Sequence, residues 1–395
     1  MNNINIAVVG GAGHVGMPLS YVLAKNFKVS IIDNSPNLNL LRRRKAPFFD
    51  YGINKFLKND RINNNLKFFN NINDVEQEYD FIFIAVGTFV DQWGNPDLKN
   101  LTNLCFSAKK KLKKYGALLL RSTIIPGYTK KIYTELFFKS DQSVYYLPER
   151  IVQGNSFIEL YKFPQIVGCE KIDNRQKKLL DKILRTFSPK TIYCKSVEAE
   201  LSKLFSNFWR YCNFAISNQM YMIADQFGVN LNGILKILKK RYPRAQHIPG
   251  SGFAAGPCLY KDVKQLEFVS NNIFDLGKSA ISINENLVNF ICMKIYKKIE
   301  KSSNIYILGA AFKAQSDDFR DSLSFKLLKI LKLKYKNVFL IDPYVKHKYV
   351  VNKINTKNLR SKDIFVVATP HRYFKKIIKL VNKKNVISPW EEFCE

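Results

Sequence analysis

Asn5-Ile6-Ala7-Val8-Val9-Gly10-Gly11-Ala12-Gly13-His14-Val15-Gly16 decides the fold. Asn5 to Val9 is a short β-branched run and reads as a buried strand. Gly11, Gly13 and Gly16 follow at once in the spacing G-x-G-x-x-G. A helical pattern then runs from Met17 to Asn26, and a second strand, Lys28 to Ile32, ends on Asp33. The glycines permit a tight turn, and the helix N-terminus is suited to a pyrophosphate. Asp33 stands seventeen residues after Gly16, where a carboxylate can bond an adenosine ribose. Gly11, Gly13, His14, Val15, Gly16 and Asp33 therefore form a dinucleotide site, and the acid favours NAD over NADP.

Three further buried strands are expected at Asp80 to Val86, Ala117 to Ser122 and Ser143 to Tyr146. They deliver Thr88, Thr123 and Glu149 from their C-terminal ends. In an open α/β sheet that edge is where ligands bind. Taken singly, each of the three also fits a helix cap or a turn.

Val197 to Phe227 keeps helical periodicity without Gly or Pro, which is long for a globular helix. Lys203 and Asn207 are four apart and share a face among Leu201, Leu204, Phe205 and Phe208. They read either as site residues or as a solvated polar stripe. A short helix, Leu231 to Lys240, leads to Pro243-Arg244 and then to a loop of small residues, Ile248 to Asp262. Glycine there permits positive φ and close approach of backbone to a ligand. A helix starting near Pro257 puts Cys258 in its first turn, where the dipole favours a thiolate. Asp262 falls one turn on, as an acidic partner. The alternative is a small apolar cysteine in a Gly-rich turn. Val263 to Ser302 is largely helical, and a second βαβ-like unit begins at Asn304. Its strands are Ile305 to Leu308, Asn337 to Ile341 and Ile364 to Ala368, with a helix ending at Leu333. It lacks G-x-G-x-x-G and is expected to bind something other than NAD.

The bulk numbers limit the choices. A chain of 395 residues suggests two or three domains. Hydrophobic content of 46% and charged content of 24% are ordinary for a globular protein. No apolar run is long enough to span a membrane, and no signal peptide is visible, so a cytoplasmic enzyme is expected. The cysteines, Cys105, Cys169, Cys194, Cys212, Cys258, Cys292 and Cys394, form no CxxC or CxxH pair. That argues against a disulfide framework or a metal site. A net charge of +31 allows nucleic-acid binding, but lysines are spread through nearly every helix alongside Asn and Ile. Compositional bias and an anionic small substrate account for the charge better, so no nucleic-acid or membrane partner is expected.

Laid out in order, these motifs resemble the UDP-glucose/GDP-mannose dehydrogenase family of nucleotide-sugar 6-dehydrogenases. Beyond Gly11 to Gly16 and Asp33, the likeness rests on Pro47 to Gly52, Gly87-Thr88, Arg121 to Gly127 and Pro148-Glu149-Arg150. It continues through Ala199 to Leu204 with Asn207, Gly256 to Asp262, Gly309 to Lys313, Asp318 to Ser322 and Asp342-Pro343-Tyr344. The resemblance implies oxidation of a sugar C6 alcohol to a carboxylate with two NAD, through a thiohemiacetal and a thioester on Cys258. It implies that Lys203 and Asn207 stabilise oxyanions, that Asp262 and Thr123 handle water and protons, and that Glu149 acts in thioester hydrolysis. It makes Thr88, Thr123 and Arg320 NAD contacts. Glu149, Arg150, Lys203, Asn207, Arg244, Gly252, Phe312 and Lys313 become substrate contacts, with Arg244 in some members reaching across a dimer. Ala254-Ala255, Gln153 and Phe89 depart from the common pattern. Pro148-Glu149-Arg150 is closer to members acting on UDP-N-acetylhexosamines than to those acting on UDP-glucose.

The expected architecture is α/β, with two Rossmann-like doubly wound parallel-sheet domains joined by a helical middle. Residues 1–195 would bind NAD, 196–300 carry the cysteine and dimerise through the long helix, and 301–395 bind the nucleotide sugar. Two other readings compete: a two-electron hydroxyacid-type dehydrogenase, and a non-catalytic nucleic-acid-binding protein.

Overall fold

The computed structural model describes residues 4–91, 95–300, 302–390 and 393. Cys394 and the first three residues lie outside the described residues. The chain forms two compact units, Met1–Phe205 and Ser206–Glu395.

The first unit is built on an eight-stranded sheet. Across it the order is Thr191–Lys195, Gln165–Cys169, Ser143–Tyr146, Leu112–Leu120, Tyr79–Ile84, Asn5–Val9, Lys28–Ile32 and Leu66–Phe69. Strand order reverses beside Asn5–Val9, which pairs in parallel with both Lys28–Ile32 and Tyr79–Ile84. That reversal opens a crevice at the C-terminal strand ends, next to Gly10 to Gly16. The sheet departs from an all-parallel expectation at one place: Ser143–Tyr146 meets Gln165–Cys169 antiparallel, through the pair Tyr146 and Gly168. Both faces are covered. Ile6, Val8, Phe81, Phe83 and Leu119 pack into one core, and Ala7, Val9, Ile82, Ile84 and Leu118 into the other. That is why these strands read as unbroken apolar runs.

Several boundaries differ from the sequence reading in this unit, among them the strand expected over Asp80 to Val86, which is Tyr79–Ile84. The first helix is Gly16–Leu23 and stops three residues before Asn26. The strand expected over Ala117 to Ser122 is Leu112–Leu120, and its pairing with Tyr79–Ile84 is irregular, Tyr79 facing Leu112 and Phe81 facing Ala117. Tyr115 there has φ 62, a kink with no apolar signature.

The long helix is Ser196–Gln226, 31 residues. It ends where Gly228, at φ 68, takes the left-handed turn that closes many helices. In the second unit a five-stranded parallel sheet has the order Val350–Val351, Val338–Ile341, Ile305–Leu308, Ile364–Val367 and Val386–Ile387. The expected helical stretch Val263 to Ser302 is two helices, Leu259–Val269 and Asp275–Lys298. Asn271 and Asn272, at φ 44 and 71, break it, since asparagine tolerates the left-handed region. Leu287, Val288, Ile291 and Ile295 of the longer helix share a core with Leu327, Leu328 and Leu331 of helix Leu323–Lys332, and with Ile305, Ile307 and Leu340 of the sheet.

Candidate active site

The glycines of the first turn do separate jobs. A methyl group on Gly11 would sit 2.7 Å from the Val8 carbonyl oxygen, and one on Gly16 would collide with Gly10. Those two are required for helix, turn and strand to pack. At Gly13 the nearest atom to such a methyl is 3.4 Å away, so this glycine leaves room for backbone to be approached from outside. Helix Gly16–Leu23 has no side-chain cap, and its N-terminal dipole faces the turn. Asp33 braces the turn: its carboxylate accepts the Ala12 N–H at 2.9 Å and the Ser35 N–H at 2.8 Å. Each oxygen keeps a lone pair for a ribose hydroxyl. His14 packs against Phe48 with ring centres 3.8 Å apart and the rings tilted by 32°. An uncapped helix start, an open Gly13 and a half-exposed acid at the second strand end fit a dinucleotide.

The neighbouring strand ends are stitched together. Thr88 donates its hydroxyl to the Thr123 carbonyl at 2.7 Å, joining the loops after Tyr79–Ile84 and Leu112–Leu120. Glu149 is buried and ion-paired with Arg121, and its other oxygen accepts the N–H groups of Arg150 and Ile151 at 2.8 and 3.0 Å. The Arg150 side chain donates to the Pro164 carbonyl at 2.6 Å. Glu200, fully buried, accepts the N–H groups of Gly127 and Thr129 at 2.6 and 2.8 Å. It thus closes the first turn of helix Tyr128–Ile132, which leads out of the Thr123 loop. Burial pushes the Glu200 carboxyl above its usual range despite those bonds. Lys203 is half-buried and has no hydrogen-bond or ion-pair partner among the described residues.

In the second unit Cys258 is the N-cap of helix Leu259–Val269, one position before the first turn in which it was expected. Its carbonyl accepts the Asp262 N–H at 3.0 Å, so the two residues are one turn apart as read. Asp262 is fully buried. Its carboxylate accepts the Asn207 amide at 2.5 Å and pairs with the Lys261 ammonium at 3.0 Å. Asn207 is therefore a buried partner of Asp262 rather than part of a solvated stripe. Cys258 is exposed, whereas Cys105, Cys212 and Cys292 are buried and Cys169 and Cys194 half-buried. Burial pushes the Cys105 thiol up to about 12 and the Cys292 thiol up to about 11, and raises those of Cys169, Cys194 and Cys212. Those five are poor nucleophiles, because the thiolate is the reactive form.

The glycines around Cys258 are held by protein. A methyl on Gly256 would meet the Phe312 ring at 2.5 Å, and the Gly256 N–H donates to the Asp321 carbonyl at 3.2 Å. Gly252 faces the Trp390 ring, and Asn218 takes both its N–H and its carbonyl, at 2.9 and 3.0 Å. Arg320 forks onto Asp318 with contacts of 3.0 and 2.7 Å. That hydrogen bonding, more than the nearby Cys258 charge, holds the guanidinium above its usual range. Lys313 is half-buried. Arg244 is exposed, over the Tyr242 ring at 5.9 Å.

The second sheet repeats the turn of the first but closes it. Asp342 ends Val338–Ile341 as Asp33 ends Lys28–Ile32. Its carboxylate is fully buried and takes N–H groups from Ala310, Ala311, Tyr344 and Val345 and the His371 ring. Burial opposes its charge, but those donors outweigh it and hold the carboxyl below its usual range. No oxygen is left for a ribose, in keeping with the missing glycine motif. Asn218 and Trp390 were not singled out from sequence, and Glu200 and Asp342 stood only inside motifs of the resemblance, with no role given to either. A polar residue inside an apolar helix was the one signal for Glu200 and Asn218.

Three family models match the chain in order. They are the UDP-glucose/GDP-mannose dehydrogenase family NAD binding domain over residues 4–188, the central domain over 197–286 and the UDP binding domain over 306–392. A UDP-N-acetyl-D-mannosamine dehydrogenase of Pyrococcus horikoshii is 29% identical, over 95% of this chain and 91% of that protein. A UDP-glucose 6-dehydrogenase of Rickettsia prowazekii is 27% identical, over 99% of this chain and 91% of that protein. The solved UDP-D-ManNAc dehydrogenase structure from Pyrococcus horikoshii superposes with a TM-score of 0.86 at 26% identity, covering 98% of this chain and 95% of that one.

Proposed function

The chain belongs to the UDP-glucose/GDP-mannose dehydrogenase family of NAD-dependent nucleotide-sugar dehydrogenases, and from that premise we propose a four-electron oxidation of a sugar C6 alcohol to a uronate, carried covalently by Cys258. The observation that carries this reading is the environment of Cys258. Among the described cysteines it is the exposed one, at a helix start, one turn from a buried carboxylate that is bonded to Asn207.

NAD, held by Gly11, Gly13, His14, Val15, Gly16, Asp33, Thr88, Thr123 and Arg320, supplies the hydride acceptor, two being consumed per sugar. The Cys258 sulfur adds to the C6 aldehyde, giving a thiohemiacetal whose oxidation leaves a thioester. Lys203 and Asn207 donate to the oxygen on C6 as it becomes negative. Asp262 and Thr123 hold the water and pass its proton, and Glu149 supports thioester hydrolysis. Arg150, Arg244, Gly252, Phe312 and Lys313 hold the nucleotide sugar. In this reading residues 1–195, 196–300 and 301–395 are the cofactor, cysteine-bearing and nucleotide-sugar parts. The enzyme works in the cytoplasm, where free thiols stay reduced. No helix among the described residues is long and apolar enough to cross a membrane.

The substrate is a UDP-N-acetylhexosamine in preference to UDP-glucose. Pro148-Glu149-Arg150 supports that, as does the Pyrococcus relative. Offering UDP-N-acetylmannosamine, UDP-N-acetylglucosamine, UDP-glucose and GDP-mannose with NAD tests it. An acetamido sugar should give the highest kcat/KM for NADH formation. No NADH from any of the four would overturn the assignment.

Assembly is part of the proposal. Trp209, Ile216 and Ile223 recur every seven residues on the long helix and are 68%, 46% and 47% exposed. Ile216 and Ile223 line a groove of about 290 Å³ with Met220, Leu276 and Ile283. An exposed heptad stripe of this kind suits a helix from a second copy. Light scattering should give about twice the mass of one chain, and the mass of a single chain would exclude the dimer.

A further inference from the structure

We propose that Trp390 is a positioning residue for the Cys258 sulfur. The inference rests on the reading of Cys258 as nucleophile. The loop before Cys258 has two fixed points, both glycines, and both are fixed by aromatic rings. At the first, Gly252, a methyl group would lie 2.3 Å from the Trp390 ring. Trp390 is itself anchored, because its indole N–H donates to the Ala368 carbonyl at 3.0 Å, at the end of strand Ile364–Val367. The adjoining Ser251 hydroxyl donates to the Pro389 carbonyl, so hydrogen bonding reinforces the ring contact.

From the other side Asn218 grips the same residue. Its amide oxygen accepts the Gly252 N–H, and its amide nitrogen donates both to the Gly252 carbonyl and to Asn284 at 2.9 Å. Ser217 donates to the Pro249 carbonyl at 2.8 Å. Asn218 and Asn284 are fully buried. Gly252 is thus clamped between a helix amide and an indole, with no side chain of its own to give way. The chain then runs only to Gly256, held by Phe312 and Asp321, before reaching Cys258.

The clamp matters because the nucleophile lies six residues beyond it. Covalent addition needs the sulfur within a few tenths of an ångström of its attack position, and misplacement by 1 Å can cost about 100-fold in rate. Asp262 is independently held by Asn207, so the helix after Cys258 stays in place. The freedom left to the sulfur is that of the loop, and removing the indole opens space directly against Gly252. Trp390 therefore acts through the loop and needs no contact with the reacting atoms.

The test compares Trp390→Phe, which keeps a ring but loses the N–H, with Trp390→Leu, which loses the ring. Three quantities are measured on the full-length enzyme: kcat, KM for NAD, and the rate of Cys258 alkylation by iodoacetamide. Trp390→Leu should lower kcat by about tenfold or more. KM for NAD should stay within about twofold, since loop placement is not uniform binding. Alkylation should change severalfold, and Trp390→Phe should fall between the two. If Trp390→Leu does not fold, Trp390→Phe decides alone, with a smaller loss of kcat at constant KM. A folded Trp390→Leu with kcat within twofold of wild type and unaltered alkylation overturns the inference. So does a parallel loss in every parameter, which would mean general loosening. If alkylation changes while Cys258→Ala still turns over, covalent catalysis fails and Trp390 still sets the loop.

Discussion

Replacing Cys258 by alanine is expected to lower turnover by about 10³-fold or more, with NAD binding unchanged. The size follows from the chemistry. Without the sulfur no thioester forms, and oxidation beyond the aldehyde loses its covalent intermediate. The specificity of the effect follows from the fold. Cys258 is not among the residues assigned to NAD, and all of those but Arg320 belong to the first compact unit. The residue is exposed, at the start of a helix, so alanine removes little packing. Steady-state rates with the active nucleotide sugar, alongside NAD titration by fluorescence, check both halves. A variant keeping a tenth of the wild-type rate would rule out covalent catalysis. Alanine at Cys105 or Cys292 should leave the chemical step nearly intact, since burial already disfavours their thiolates.

Replacing Arg121 by methionine is expected to destabilise the first unit by about 3–5 kcal/mol. Arg121 is buried with its side chain 0% exposed and is paired with Glu149, whose side chain is 9% exposed. It also donates to Gln165 at 3.0 Å. Methionine fills much of the same space but leaves a buried carboxylate with only two backbone donors. Removing one partner of such a pair is far more damaging than replacing both, because the remaining charge stays desolvated. Adding Glu149→Gln should therefore recover most of the lost stability in a denaturant titration. Turnover should not recover, because Glu149 is assigned to thioester hydrolysis. A double variant that regains activity along with stability would remove Glu149 from the mechanism and leave it a structural role.

The parts of the protein that were legible in its sequence share a physical cause. Strands buried on both faces show as apolar runs, so Asn5–Val9, Lys28–Ile32, Ser143–Tyr146 and Ile305–Leu308 could be placed to the residue. Short-range chemistry was legible for the same reason. The Gly11 to Gly16 turn with Asp33, and Cys258 with Asp262, are set by spacing along one strand–turn–helix or one helical turn. Long-range partners were not. The Gly-rich loop reads as room for a ligand, yet Gly252 and Gly256 make room for Trp390 and Phe312, the first of them 138 residues away. Asn207 reads as half of a pair with Lys203, yet its bond is to Asp262, 55 residues on. Glu200 stands in the sequence as a polar residue inside an apolar helix, and only the fold brings it beneath Gly127 and Thr129. Breaks in elements fell between these cases. Asn271-Asn272 can be seen to permit a turn, but helical periodicity on both sides concealed it.

Covalent four-electron oxidation makes one arithmetical claim, and endpoint counting of NADH against sugar tests it most directly. With a limiting amount of the active nucleotide sugar and excess NAD, the reaction should yield two NADH for each sugar consumed, with the carboxylate as product and no accumulated aldehyde. One NADH per sugar, with the product left as aldehyde or ketone, would contradict the account and make the protein a two-electron dehydrogenase with no need for Cys258.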